Sequence, residues 1–302
     1  MVPRIIFDTS GLNCLEDSGV ASESIMRGLQ CGFNVVLTGM SVEEIIATRT
    51  EERREALLRR CDRLLQSAQC LWPPQEIVRL LISAHFANPS TFDWTKVDVR
   101  ARAYEAAIPR RDFTDAVCVE QGRQHFQLEK NFRKYWTRLR PKLDAILAQD
   151  PSKRPNTYHD AVTIALRDAG VLWGLGQRLY KYVPKREPSE AEIKSFMDVC
   201  PPFRAACYGL VMAWYNWSLR PQDDQTATAG RNDLMTATYL PYCERFISDD
   251  WAHRKDLREV ATEAKVACEI LSFKEFEQGF ALPCPAPSVC VPGPGPDLTE
   301  SS

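Results

Sequence analysis

Long apolar runs are missing from this chain of 302 residues. The densest stretch, YGLVMAW from Tyr208 to Trp214, falls well short of the roughly 20 residues that cross a bilayer, so no membrane span is expected. Close cysteine pairs are missing as well. The 11 cysteines never adopt the spacing of a structural zinc site, and their odd number argues against a fully paired disulfide framework. Most are expected to be buried thiols that act as small apolar groups. The 4 histidines, His85, His125, His159 and His253, do not form a metal-binding pair on one helix face. Neither a G-x-x-x-x-G-K-[ST] phosphate loop nor a G-x-S-x-G nucleophile elbow occurs. Charge of one sign is absent too: 38 Lys+Arg against 40 Asp+Glu give a formal charge of -2, so the chain as a whole is not a polycation.

What is present is enough apolar material to fold. Hydrophobic residues at 44% with charged residues at 26% exclude a wholly disordered chain, and the length supports one or two sizeable cores without disulfide staples. The opening MVPRIIFD leaves no room for a signal peptide ahead of Asp8, so a cytoplasmic location is expected.

The run RIIFDTSGLN predicts a short buried strand at Ile5 to Phe7 that ends in a polar turn. FNVVLTG predicts a second strand from Phe33 to Leu37. Met40 then leads into a charged helix or helix pair, with Ser41 and Glu44 spaced as a capping box. The middle of the chain carries helical spacing with few strand signals; Tyr135, Trp136, Trp173, Leu175, Leu179 and Tyr180 are expected to pack there. Ser189 with Glu192 predicts a capped helix that ends near CPPF, followed by a deeply packed helix from Arg204 to Leu219. Arg245 to Ile247 predicts a further strand, and Cys268 to Leu271 a last one. Beyond Gly279 the Pro-rich sequence has little to bury.

Four acids recur in corresponding places. Asp8 leaves the first strand, Glu44 lies in the first turn after the second, Asp233 starts a helix, and Asp250, preceded by Asp249, follows a late strand. In a parallel sheet such carboxyl ends share one crevice. Like charges gathered there call for compensation, and one or two hard divalent cations would supply it together with a Lewis acid.

IIFDTSGLNCL, TGMSVEEII and NDLMTATYLPYCERFISDD together resemble the acidic framework of PIN-domain nucleases. The resemblance implies a three-layer α/β/α sandwich with a parallel sheet, phosphodiester cleavage, usually of RNA, and Mg2+ or Mn2+, one or two ions, at Asp8, Glu44, Asp233 and Asp250. It makes Thr9, Ser10, Asn13, Ser248 and Asp249 supporting groups. It covers a discontinuous core, residues 1–65 and 225–278, and leaves a mainly helical insertion at 66–224 and a Pro-rich tail at 279–302. Compact members are often toxins held inactive by a small partner, so a regulatory protein or a homodimer is a candidate partner beside RNA.

Two basic stretches are candidate nucleic-acid contacts: Arg53, Arg54, Arg59 and Arg60 in one, Lys130, Arg133, Lys134 and Arg138 in the other. A solvated helix face is the plainer reading of both. An inactive RNA-binding or protein-interaction scaffold is the alternative from a different class. A HAD-like phosphatase is a lesser one, because that family needs a second Asp two residues after the first, where this chain has Ser10.

Overall fold

A computed structural model describes residues 2–65, 68–111, 113, 115–150, 154–167, 171–181, 183–219 and 230–280. Its centre is a five-stranded, all-parallel sheet in the order β3-β2-β1-β4-β5. The strands are β1 (Arg4–Phe7), β2 (Asn34–Thr38), β3 (Gln69–Leu71), β4 (Arg245–Ile247) and β5 (Glu269–Leu271). In β1, Ile5, Ile6 and Phe7 are all fully buried, because helices cover both faces of a parallel sheet and leave no polar side.

Alternation along the strands divides the core in two. Ile5, Phe7, Val35, Leu37, Cys70 and Ile247 face one layer, built by α1 (Thr9–Asp17), α2 (Val20–Gly32), α3 (Gly39–Ile46), α4 (Glu51–Leu65), α6 (Arg102–Arg110) and α14 (Phe273–Phe280). Ile6, Val36, Phe246 and Ile270 face the other. That layer holds α5 (Pro74–Ala87), α8 (Tyr158–Arg167), α9 (Val171–Tyr180), α10 (Glu190–Val199), α11 (Pro201–Trp214), α12 (Arg231–Met235) and α13 (Trp251–Glu263). The result is a three-layer α/β/α sandwich. The 35-residue α7 (Asp115–Gln149), roughly 52 Å long at 1.5 Å per residue, lies against α3 and α12.

Several expectations hold at residue level. Ser189 and Glu192 form the reciprocal capping box that starts α10, and the two prolines after Cys200 open α11. Others shift. The cap of α3 is Thr38, whose Oγ1 accepts from the Ser41 amide at 3.1 Å, so Ser41 and Glu44 are not a capping box. A hydroxyl at the end of β2 arrives one turn earlier and takes the orphan amide. The sheet also extends beyond residue 65, since β3 pairs with β2. The helices of 66–224 share one continuous core with the sheet rather than standing apart from it. Tyr135 is not core: it is 43% exposed, and its hydroxyl accepts from Arg178 at 2.8 Å. The expected tail lies outside the described residues from 281 onward, and α14 runs to Phe280.

Gly209 fixes how closely α11 approaches α12. A Cβ there would stand 2.4 Å from the backbone oxygen of Leu234, the residue after Asp233. Gly209→Ala is therefore expected to lower stability by about 1–3 kcal/mol through overpacking. Gly174→Ala, where no atom lies within 4 Å of the new Cβ, is expected to be neutral or stabilising by about 0.5–1 kcal/mol. Chemical denaturation of both variants checks the pair; equal losses would contradict the close approach.

Candidate functional site

The strand order reverses direction at β1, whose neighbours are β2 and β4. Crevices outside such a switch point are the usual sites of open parallel sheets. Asp8 leaves β1 here and Ser248–Asp250 leave β4. The Asp8 side chain caps α1: its Oδ1 accepts from the Gly11 amide and from the Ser10 hydroxyl, both at 2.7 Å. The Ser10 hydroxyl accepts in turn from the Asp249 amide at 2.7 Å. Gly11 is required at this joint, because a Cβ would lie 2.8 Å from the Ile247 oxygen. The start of α1 is thus tied to the end of β4.

His253 sits beneath these groups, only 1% exposed. Its Nδ1 lies 3.1 Å from Asp8 Oδ2 and 3.3 Å from Ser248 Oγ. Its Nε2 lies 2.9 Å from the Asp233 carbonyl oxygen and 2.8 Å from Thr236 Oγ1. A carboxylate on one side and a carbonyl on the other are both acceptors, and only the doubly protonated imidazolium donates to both. Burial by itself would lower the His253 pKa; the hydrogen bond to Asp8 and the charges of Asp233, Asp8 and Asp250 overcome it and raise it to about 9. Burial works in the opposite sense on Asp8, and the His253 bond and charge, with Ser248 and Gly11, hold its carboxyl below the ordinary value. The two partners agree in direction.

The remaining acids stand around this pair. Asp250 caps α13 by accepting from the His253 amide at 2.9 Å. Asp233 Oδ2 accepts from the Gly230 amide at 2.7 Å. Thr9 donates its hydroxyl to Glu44 Oε2, which links the acid of α3 to the residue after Asp8. Asn13 is turned away: its Oδ1 accepts from Arg53 at 2.9 and 2.6 Å. The Cys14 thiol, pushed up to about 11 by burial and by Asp249, stays protonated at neutral pH and is not a nucleophile.

Four carboxylates without sulfur suit a hard divalent cation. In the geometry seen here, each of the four accepts a hydrogen bond from the protein. No group of three or more His, Cys, Asp or Glu side chains among the described residues is disposed to hold a metal ion.

The basic stretches separate. Arg54 and Arg60 are buried; Arg54 donates to the Thr48 oxygen and Arg60 to Glu16. Arg53 pairs with Asp17. These three side chains brace α4 against α1 and the turn before it, and Arg59 is exposed. On α7, Arg133 pairs with Glu129 and lies over the Trp217 ring. Lys130, Lys134 and Arg138 recur at four-residue steps, exposed and without an ion pair among the described residues. His253 belongs to no histidine pair, the pattern by which a histidine site shows in a sequence. The signal was a lone histidine three residues after the late acid Asp250, where a helix start turns the ring back under the strand ends.

Compared with known protein families, curated proteins and solved structures, the chain matches none.

The His253 pKa, raised above its ordinary 6.5, makes stability depend on pH in a defined sense. A raised pKa means that the folded state holds the proton more tightly than the unfolded chain. The contribution is fully present below about pH 6.5 and is lost as pH rises through about 9, on the order of 3 kcal/mol. The lowered Asp8 pKa adds stability above its unfolded value that is lost in acid. Denaturation in chelator between pH 6 and 10 is expected to show a decline in the wild type that His253→Gln lacks; parallel profiles would refute the charged pair.

Proposed function

We propose that this protein is a PIN-type nuclease that hydrolyses phosphodiester bonds, with RNA as favoured substrate and Mg2+ or Mn2+, one or two ions, as cofactor. The observation that best supports this reading is that the charges of Asp8, Asp233 and Asp250 all act on His253 beside the carboxyl ends of β1 and β4, with Glu44 tied to the residue after Asp8 through the Thr9 hydroxyl. Asp8, Asp233 and Asp250 would hold the cation, and Glu44 would orient water or a second ion. A bound divalent cation would supply transition-state charge stabilisation and a water of lowered pKa.

The chain's own residues have distinct tasks in this reading. Ser10 and the Gly11 amide fix one Asp8 oxygen. His253 fixes the other and balances the neighbouring negative charge while the crevice holds no cation. Thr9 sets the position of Glu44. Asp250 and Asp249 are exposed and so face incoming substrate. Lys130, Lys134 and Arg138 on α7, which packs against α3 and α12, would carry the phosphate backbone toward the acids.

A second reading, an RNA-binding scaffold without turnover, draws on the engagement of every one of the four carboxylates by protein donors. The two separate cleanly. Asp8→Asn and Asp233→Asn are each expected to reduce Mn2+-dependent RNA cleavage by on the order of 100-fold or more, with circular dichroism unchanged. Tight binding of RNA with no cleavage by the wild type in Mg2+ or Mn2+ would favour the scaffold, and activity unchanged in both variants would mark a contaminating nuclease. In binding assays, Lys134→Ala combined with Arg138→Ala is expected to lessen the salt dependence of RNA affinity, the log–log slope falling by about 0.7 per phosphate contact removed. An unchanged slope would remove α7 from the interface.

A further inference from the structure

At the β5 edge of the sheet, two thiols meet. Cys243 stands two residues before β4 and Cys268 one residue before β5. The Glu269 amide donates to the Glu244 oxygen at 2.9 Å, so the two parallel chains already run side by side where the cysteines sit. Both side chains pack in the same core layer, and their sulfurs are 3.6 Å apart. Neighbouring chains of a sheet lie about 4.8 Å apart, inside the Cα separation that a disulfide accepts. Bonding at about 2.05 Å therefore calls for rotation of the side chains rather than a rearranged backbone.

The two thiols differ in a way that assigns their roles. Cys243 is 3% exposed; burial and the neighbouring Cys268 push its thiol well up, so it stays protonated, with Sγ at 3.8 and 3.9 Å from the Leu240 and Tyr239 oxygens. Cys268 is partly exposed, on the short connection from α13 to β5 whose Lys265 and Ala267 are exposed. A small oxidant in solution reaches Cys268 first. An accessible thiol beside a buried partner is the arrangement in which the first oxidation product is captured as a disulfide. The other described cysteines are placed differently: Cys61, Cys70, Cys200 and Cys207 are buried, and Cys14 lies beside Asp249.

We propose that Cys243 and Cys268 are a modification site, oxidised by hydrogen peroxide to a reversible disulfide. The Cys268 sulfur attacks one peroxide oxygen: an S–O bond forms, the O–O bond breaks, and the departing hydroxide leaves as water with the Cys268 proton. The Cys243 sulfur then attacks the Cys268 sulfenic sulfur. The S–S bond forms, the S–O bond breaks, and hydroxide leaves as a second water with the Cys243 proton. The two thiols lose two electrons and the peroxide gains them. The bond joins residues 25 positions apart and encloses β4, Asp250, His253 and all of α13, so oxidation staples the unit that forms one side of the acidic crevice. Neither cysteine belongs to that crevice, and the site stands whether or not the nuclease reading does.

Treatment of the folded full chain with millimolar hydrogen peroxide, followed by rapid alkylation in denaturant and peptide mapping by mass spectrometry, tests the assignment. A linked Cys243–Cys268 peptide is expected, lighter than the two free peptides by two hydrogens and lost on treatment with dithiothreitol. The thermal midpoint is expected to rise by about 5 °C or more on oxidation, the scale for closing a loop of this length, and to return on reduction. Cys268→Ser, at the partly exposed position, is expected to keep the reduced melt and to lose both the linked peptide and the shift. In Cys243→Ala, dimedone is expected to trap a sulfenic acid at Cys268. Both thiols of the wild type remaining free for alkylation would overturn the proposal, as would linkage of Cys268 to a different cysteine or a thermal shift that persists in Cys268→Ser. A folded Cys243→Ala without the dimedone adduct would overturn the assignment of Cys268 as the attacking sulfur.

Discussion

One charged pair organises the carboxyl end of the sheet. Asp8 follows a strand whose last three side chains are fully buried, so its backbone is fixed, and its carboxylate is held out of solvent by Ser10, Gly11 and His253. The His253 imidazolium answers that constraint from below and, through its second nitrogen, holds the backbone of Asp233 as well. Three pieces of chain far apart in sequence are joined by one ring. Removing the imidazolium would leave Asp8 partly buried and short of its charged donor, which costs more than the pair contributes as a whole.

The sheet and its acids were legible because buried parallel strands leave an unusual trace, a short wholly apolar run that stops at a polar residue. Ile5–Phe7 followed by Asp8, and Phe246–Ile247 followed by Ser248, both have that form. β3 left no such trace. Its three residues, Gln69–Leu71, open on a polar side chain and run on into Trp72 with no polar stop, and their place in the sheet comes from pairing with β2 rather than from local pattern. The cap of α3 was misplaced for a related reason: Thr38 closes the strand and opens the helix at once, and a strand residue is not read as a cap. The arginines of α4 show a different limit. Their clustering is plain in the sequence, but their partners, Glu16, Asp17 and Glu23, lie in α1 and α2, and only the tertiary packing shows that these cations are neutralised.

The near-zero net charge therefore has internal structure. On the α1–α2–α4 layer, acids and bases cancel at contact distance, and the field there is short-ranged. Around the crevice, negative groups gather over His253 as buried counter-charge, with Arg254 at the Ser248 oxygen, while Lys130, Lys134 and Arg138 stand exposed on α7. Screening in physiological salt extends over about 8 Å. Charges separated by more than that act as distinct patches, so a polyanion would meet the α7 face as a basic surface despite a total of -2.

α13 is the element in which these arrangements meet. Its first turn carries Asp250 and His253, and its next carries Asp256, three residues after His253 and thus on the same helical face. The acids of the β1 and β4 exits are therefore framed by one helix, with Phe246 and the α11 core behind it. Phe246 packs edge-on to His253 at 5.7 Å between ring centres, so the ring cannot tilt away from Asp8 without opening the core. A helix held at its N-terminus by the Asp250 cap and along its length by buried Leu257 and Val260 has little freedom to tilt. The precision of the acidic crevice follows from packing on the far side of α13, where no acid of the crevice lies.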